Sequence, residues 1–263
     1  MHAQSRFLPL LVAALAVSGC VAHPAQPVSS AGPDCDPSAA PLHVVIGVSG
    51  HNLAPAARRA ALRGVLDQLT RRVQPGSGAL TVRAYPLADR SLAADPLKLD
   101  LPCLPTPPDA PDLVQTPTFE RGKQLNAYRA ALGQTRQAAE QASGNLASFG
   151  TQLLGLEPRS TSTDVWGFLA LAADELATTD ASQRVVIVVA RDEEVVTSYC
   201  DGCQPLHGAS VHFLAFDQLT PADQQRRRAD WSAWLAAVGA RSTTFTRSNE
   251  TIPPLFGQEA DHA

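Results

Sequence analysis

No apolar run in this chain is long enough to cross a bilayer. Spanning takes about 20 consecutive apolar residues, and the stretch from Phe7 to Val17 falls short of that. Positive charge is scarce as well. The 263 residues carry 21 Lys and Arg against 25 Asp and Glu, a net charge of −4. That balance argues against a nucleic-acid partner. Arg226-Arg227-Arg228 is the only compact basic run, and a solvated helix face accounts for it. Zinc chemistry is poorly served: Cys200, Cys203 and His207 lack a second pair of ligands at ordinary spacing. An α/β-hydrolase elbow wants Gly-x-Ser-x-Gly. Gly47-Val48-Ser49-Gly50-His51 comes near, and His51 breaks it.

What is present starts at the N-terminus. Met1 to Arg6 is short and polar with one firm positive charge, and Phe7 to Val17 is apolar. The stretch closes on Val17-Ser18-Gly19-Cys20. A charged start, an apolar core of this length and small residues at the cut are the parts of a secretory signal. The last four residues resemble the lipobox of bacterial lipoproteins. That resemblance implies removal of residues 1–19 and a diacylglycerol, with palmitate-type acyl chains, on the Cys20 thiol. It implies a cell-envelope location, tethered to a membrane through the lipid. Val21 is not the Asp associated with inner-membrane retention, so the outer membrane is expected where the host has two.

Residues 20–41 are rich in Pro, Ala and Ser and lack apolar periodicity. Such a segment buries too little to fold and is expected to act as a disordered tether. Residues 42–250 suffice for one sizeable domain, with a loose tail over 251–263. Export bears on the remaining thiols, Cys35, Cys103, Cys200 and Cys203. Outside the cytosol they are expected to pair, in one of three ways. Short spacing favours Cys200–Cys203 as a local loop, which leaves Cys35–Cys103 to staple tether onto domain. Cys200-Asp201-Gly202-Cys203 could instead be a thiol–disulfide pair, but it does not open a helix as low-pKa redox pairs do.

Within the domain, His43 to Val48 reads as a buried strand of a parallel sheet. A turn at Ser49-Gly50-His51-Asn52 leads to a helix that Pro55 can open, with Ala61, Val65, Leu66 and Leu69 on one face. Leu80 to Tyr85 alternates as a second strand. Residues 86–117 are Pro-rich and read as an irregular insertion. Residues 119–154 read as a long helix. Leu125, Tyr128, Leu132, Thr135, Ala139, Ala142, Leu146, Phe149 and Leu153 form its heptad stripe. That stripe can dock on its own domain or pair with a second copy. Ser160 to Thr163 is expected to cap a helix over Asp164 to Ala177. Val185 to Val189 is the strongest buried-strand signal, followed by a strand at Val211 to Phe216. Thr220-Pro221-Ala222-Asp223 opens a helix that Gly239 can stop, and Ser242 to Thr246 can form a last strand. Strands alternating with helices imply an α/β fold: a three-layer, mostly parallel central sheet with helices on both faces.

Three stretches resemble von Willebrand factor A domains. Val44-Val45-Ile46-Gly47-Val48-Ser49 is similar to the first strand and metal loop. Thr161-Ser162-Thr163-Asp164-Val165-Trp166-Gly167-Phe168-Leu169 is similar to the Thr-bearing loop and its helix. Arg184 to Asp192 is similar to the next central strand. The resemblance implies a metal-ion-dependent adhesion site for a cation such as Mg²⁺, which wants oxygen ligands. The family supplies an Asp-x-Ser-x-Ser loop, a Thr and an Asp. Here Ser49 matches the first Ser, Thr163 matches the Thr, and Asp192 lies one residue late. Gly47 stands where the first Asp belongs, His51 replaces the second Ser, and Arg191 occupies the later Asp position. Losing a carboxylate removes most of the attraction for a cation, and Arg191 opposes it further.

The expectation is therefore a non-enzymatic envelope lipoprotein that presents this domain to another envelope protein, without a functional metal site. A hydrolase using Ser49 with a later His, such as His207 or His212, is the alternative. Asp192-Glu193-Glu194 reads as a solvated turn, or as a contact for a cation or basic partner at the rim that holds Thr163.

Overall fold

The computed structural model describes residues 35–36, 38–51, 53–87, 95–157, 163–191, 205–217 and 220–257. Cys20, Asp192, Cys200 and Cys203 lie outside them, as do the signal segment 1–19, most of the tether and residues 258–263. No described helix is long and apolar enough to cross a membrane.

The chain is α/β. Its elements are β1 (Leu42–Ser49), α1 (Pro55–Arg72), β2 (Leu80–Leu87), β3 (Leu97–Leu101), α2 (Thr118–Leu154), α3 (Val165–Ala177), β4 (Gln183–Val189), β5 (Ser210–Leu214), α4 (Pro221–Ala237) and β6 (Ser242–Thr246). Six strands form one sheet in the order β3-β2-β1-β4-β5-β6. All neighbouring pairs are parallel except β2 with β3.

Central position explains the apolar run of β1. Every residue of that strand is buried, because it is paired on both sides and covered on both faces. Successive strand side chains point to opposite faces. Leu42, Val44, Ile46 and Val48 join one apolar cluster with residues of α1 and α2, while Val45 joins another with residues of α3 and α4.

Three sequence readings need correction. Residues 86–117 are not wholly irregular. Leu97, Leu99 and Leu101 alternate with Lys98 and Asp100 and pair antiparallel with β2 as an edge strand. Five alternating residues among so many prolines are too short a run to stand out. The tether also ends earlier than residue 41. Cys35 and Cys103 form a disulfide with Cα atoms 5.9 Å apart, and Gln183 N donates to Pro41 O at 3.1 Å. Finally, residues 251–257 are docked rather than loose. Leu255 and Phe256 are buried. Gln68 grips the segment at both ends of its amide: Nε2 donates to Pro253 O at 3.0 Å, and Oε1 accepts from Leu255 N at 2.8 Å. A β-carbon on Gly64 would lie 2.5 Å from Ile252 Cδ1, so the strap's side chain packs directly on the bare backbone of α1 there.

The long helix is as expected. At 37 residues, α2 is about 55 Å long. Its C-terminal half docks on its own domain through Ala142, Leu146, Phe149 and Leu153. Toward its start the stripe is only half-buried at Leu125, Tyr128 and Leu132.

Candidate functional site at the carboxyl end of β1

β1 runs out of the sheet at Ser49, and register pairs Val48 with Val189 of β4. Residues 49–51 and 190–191 therefore leave the sheet side by side. Parallel strands send their carboxyl ends to one rim, where α/β sheets generally bind ligands. Thr163 reaches that rim from the start of α3.

Ser49 is fully buried. Its Oγ lies 2.7 Å from Thr163 Oγ1 and accepts from His51 N at 3.1 Å. A longer contact of 3.5 Å reaches the His51 carbonyl. The fold thus brings together two residues singled out by sequence, 114 positions apart. The contact with the half-buried Thr163 satisfies the Ser49 hydroxyl, so Ser49 can be buried at little cost.

The next residue, Asp164, is what caps α3. Its Oδ1 accepts from Gly167 N at 2.7 Å. The cap was expected over Ser160 to Thr163, one residue too early. Ser160, Thr161 and Ser162 lie outside the described residues, and Thr163 is turned to Ser49 instead. Both hydroxyl and carboxylate side chains cap helices well, so sequence could not choose between neighbours.

Asp192 lies outside the described residues, and among those described the rim has no room for a carboxylate at position 47. Gly47 stands where the family places a carboxylate. A β-carbon there would lie 2.9 Å from Leu87 Cδ2 and 2.9 Å from the Phe168 ring. Phe168 and Leu87 are both fully buried. The space a carboxylate would need is an apolar wall. Two hydroxyls bonded to each other leave weak ligands for a hard ion, which prefers carboxylate oxygens. Among the described residues, no group of three or more His, Cys, Asp or Glu could hold a metal.

Nor, among the described residues, does Ser49 Oγ hydrogen-bond a general base. Its partners are a threonine hydroxyl and His51 backbone atoms. A nucleophile needs an imidazole or carboxylate within hydrogen-bond reach. His212 sits in β5, with Nδ1 2.7 Å from Thr244 Oγ1. His207 lies in a turn with φ 50°, before β5, and its carbonyl accepts from Arg184 at 3.3 Å.

Two buried histidines lie within the sheet. Burial lowers the pKa of His212 to about 4, against a smaller opposing effect from the Leu255 backbone. Burial likewise lowers His43, with Glu175 opposing. Tyr85 donates to Glu175 Oε1 at 2.5 Å; burial first, then this bond, raises its pKa. These groups hold protons or stay neutral because water is excluded. His43 and His212 carried no sequence signal beyond lying in apolar strands.

The chain matches no protein-family model and no curated protein.

Proposed function

We propose that this chain is an envelope lipoprotein, anchored by a lipid on Cys20, whose α/β domain is von Willebrand A-like and binds another envelope protein at the rim around Ser49 and Thr163 without a metal ion. The observation that carries the reading is the Ser49–Thr163 contact of 2.7 Å. It joins the two best-matched positions of the family's loops at one place.

Further support comes from the order of the sheet. It runs outward in both directions from the β1–β4 pair, so the chain switches direction there. Ligands of doubly wound sheets gather at such a switch point, outside the carboxyl ends. Apolar clusters on both faces agree with a three-layer, Rossmann-like arrangement. The lipobox-like Val17-Ser18-Gly19-Cys20 supports the anchor, and the disulfide Cys35–Cys103 suits an exported protein. The apolar wall at Gly47 supports binding without a cation.

The test has two parts. Metabolic labelling with palmitate should mark the wild-type chain and not Cys20→Ala. A photo-crosslinking residue at Arg191, half-buried at the rim, should capture an envelope protein equally with and without EDTA. The same residue at exposed Arg63 should not. Capture abolished by EDTA, or turnover of an ester or peptide lost in Ser49→Ala, would overturn the reading.

A further inference from the structure

A cleft of about 1000 Å³ lies at the other end of the sheet, where α1 ends and the chain turns into β2. Three coil stretches wall it, through Asp36, Ser38 and Ala39, through residues 74–78, and through the strap that carries Ile252 and Phe256. Ile252 and Phe256 supply apolar lining, and Arg71 and Arg72 stand at its edge with Ser77 and Thr251. The strap over 251–257 is clamped by Gln68, so this wall is held in place.

The charges here are unequally engaged. Arg72 donates to Gln183 Oε1 at 3.0 Å. Arg71 is exposed and makes no hydrogen bond or ion pair among the described residues. The carboxylate in the lining, Asp36, is taken up by Ser38, whose N and Oγ donate to it at 2.8 and 2.6 Å. The carbonyl end of α1 accounts for a cation in its last turn. It does not account for the concave, mainly polar lining that places Ile252 and Phe256 beside that cation.

We propose that this cleft binds an extended acidic peptide segment of a partner protein, with Arg71 on a carboxylate and an apolar side chain against Ile252 and Phe256. A guanidinium binds carboxylate in a two-pronged, charge-assisted contact, and arginine-bearing grooves recognise acidic motifs in this way. Concavity favours a peptide over a bilayer, since a flat surface cannot reach the lining. The net charge of −4 leaves a nucleic acid repelled by the rest of the molecule. This surface is distinct from the rim at Ser49, so either can fail without the other.

Fluorescence anisotropy on the full chain tests the proposal. The probes are a fluorescent peptide of alternating glutamate and leucine, and its counterpart with lysine for glutamate. The glutamate peptide should bind saturably and the lysine peptide should not. Arg71→Glu should weaken binding about tenfold or more, the worth of one charge-assisted contact. Arg63→Glu, the same charge change on the same helix outside the cleft, should leave affinity within about twofold. Melting curves of both variants check that the fold survives. Equal binding of the two peptides, or equal loss in both variants, would overturn the proposal. Displacement of the peptide by phosphatidylglycerol vesicles would reassign the surface to lipid and overturn it too.

Discussion

The ring of Phe168 closes the space beside Gly47. A β-carbon on Gly47 would stand 2.9 Å from Phe168 Cδ1 and Cε1, and Leu87 closes the same space from the other strand. Two apolar side chains therefore take the volume in which a metal-binding carboxylate would lie. An empty space beside Gly47 would cost stability, and these two side chains fill it.

Introducing a carboxylate at Gly47 should then fail. Gly47→Asp should destabilise the chain by about 2–5 kcal/mol, from overpacking and from an unpaired buried carboxylate. Urea unfolding measures the loss. Melting temperature should be unchanged by Mg²⁺ in the variant. A Mg²⁺-dependent rise would mean that the ring yields and a cation is held.

The two rim hydroxyls should act as a unit. Ser49→Ala should cost about 1–2 kcal/mol, because it strands Thr163 Oγ1 and the His51 N–H. Thr163→Val should cost a similar amount. The double variant should lose clearly less than the sum. Full additivity in denaturant titrations would mean that the hydroxyls do not depend on each other.

Acid should weaken the fold through His212. Its folded pKa is lowered from 6.5 to about 4, so below about pH 6.5 the unfolded chain binds the proton better. Stability is complete above that pH and falls as pH drops toward 4. The loss is of order 3 kcal/mol at its limit. His43 is shifted in the same direction and adds to it. Comparing urea midpoints at pH 7.5 and 4.5 should show the drop, and His212→Gln should shrink it. An unchanged drop in that variant would assign the acid sensitivity elsewhere.

Reduction should loosen the chain between its N-terminal segment and the sheet. The Cys35–Cys103 bond spans 68 residues. Cys103→Ser should cost about 2–4 kcal/mol on the chain-entropy account. Protease should then cut between residues 35 and 41 well before the sheet opens. Equal melting curves with and without reductant would contradict this.

Much of the sheet was legible in sequence because burial wrote itself into composition. Val185 to Val189 and Val44 to Val48 are apolar at every position apart from Gly47, since both faces of those strands are covered. Edge strand β3 carried a weaker mark. It has one polar-facing side, five residues and prolines close by, so alternation had little length in which to show. The strap over 251–257 carried almost none. Its docking rests on the amide of Gln68, 187 positions away from Leu255 in the chain.

Sequence by itself determined the α/β class, the long helix, the two central strands and the residue types at the rim. These follow from local periodicity and from chemistry that each residue carries wherever it lies. Tertiary structure decided that Ser49 and Thr163 meet, and that Phe168 and Leu87 fill the place beside Gly47. It also decided that Asp164, not Thr163, caps α3. Each of these depends on which distant segments the packing brings within a few ångströms, and no local pattern encodes that.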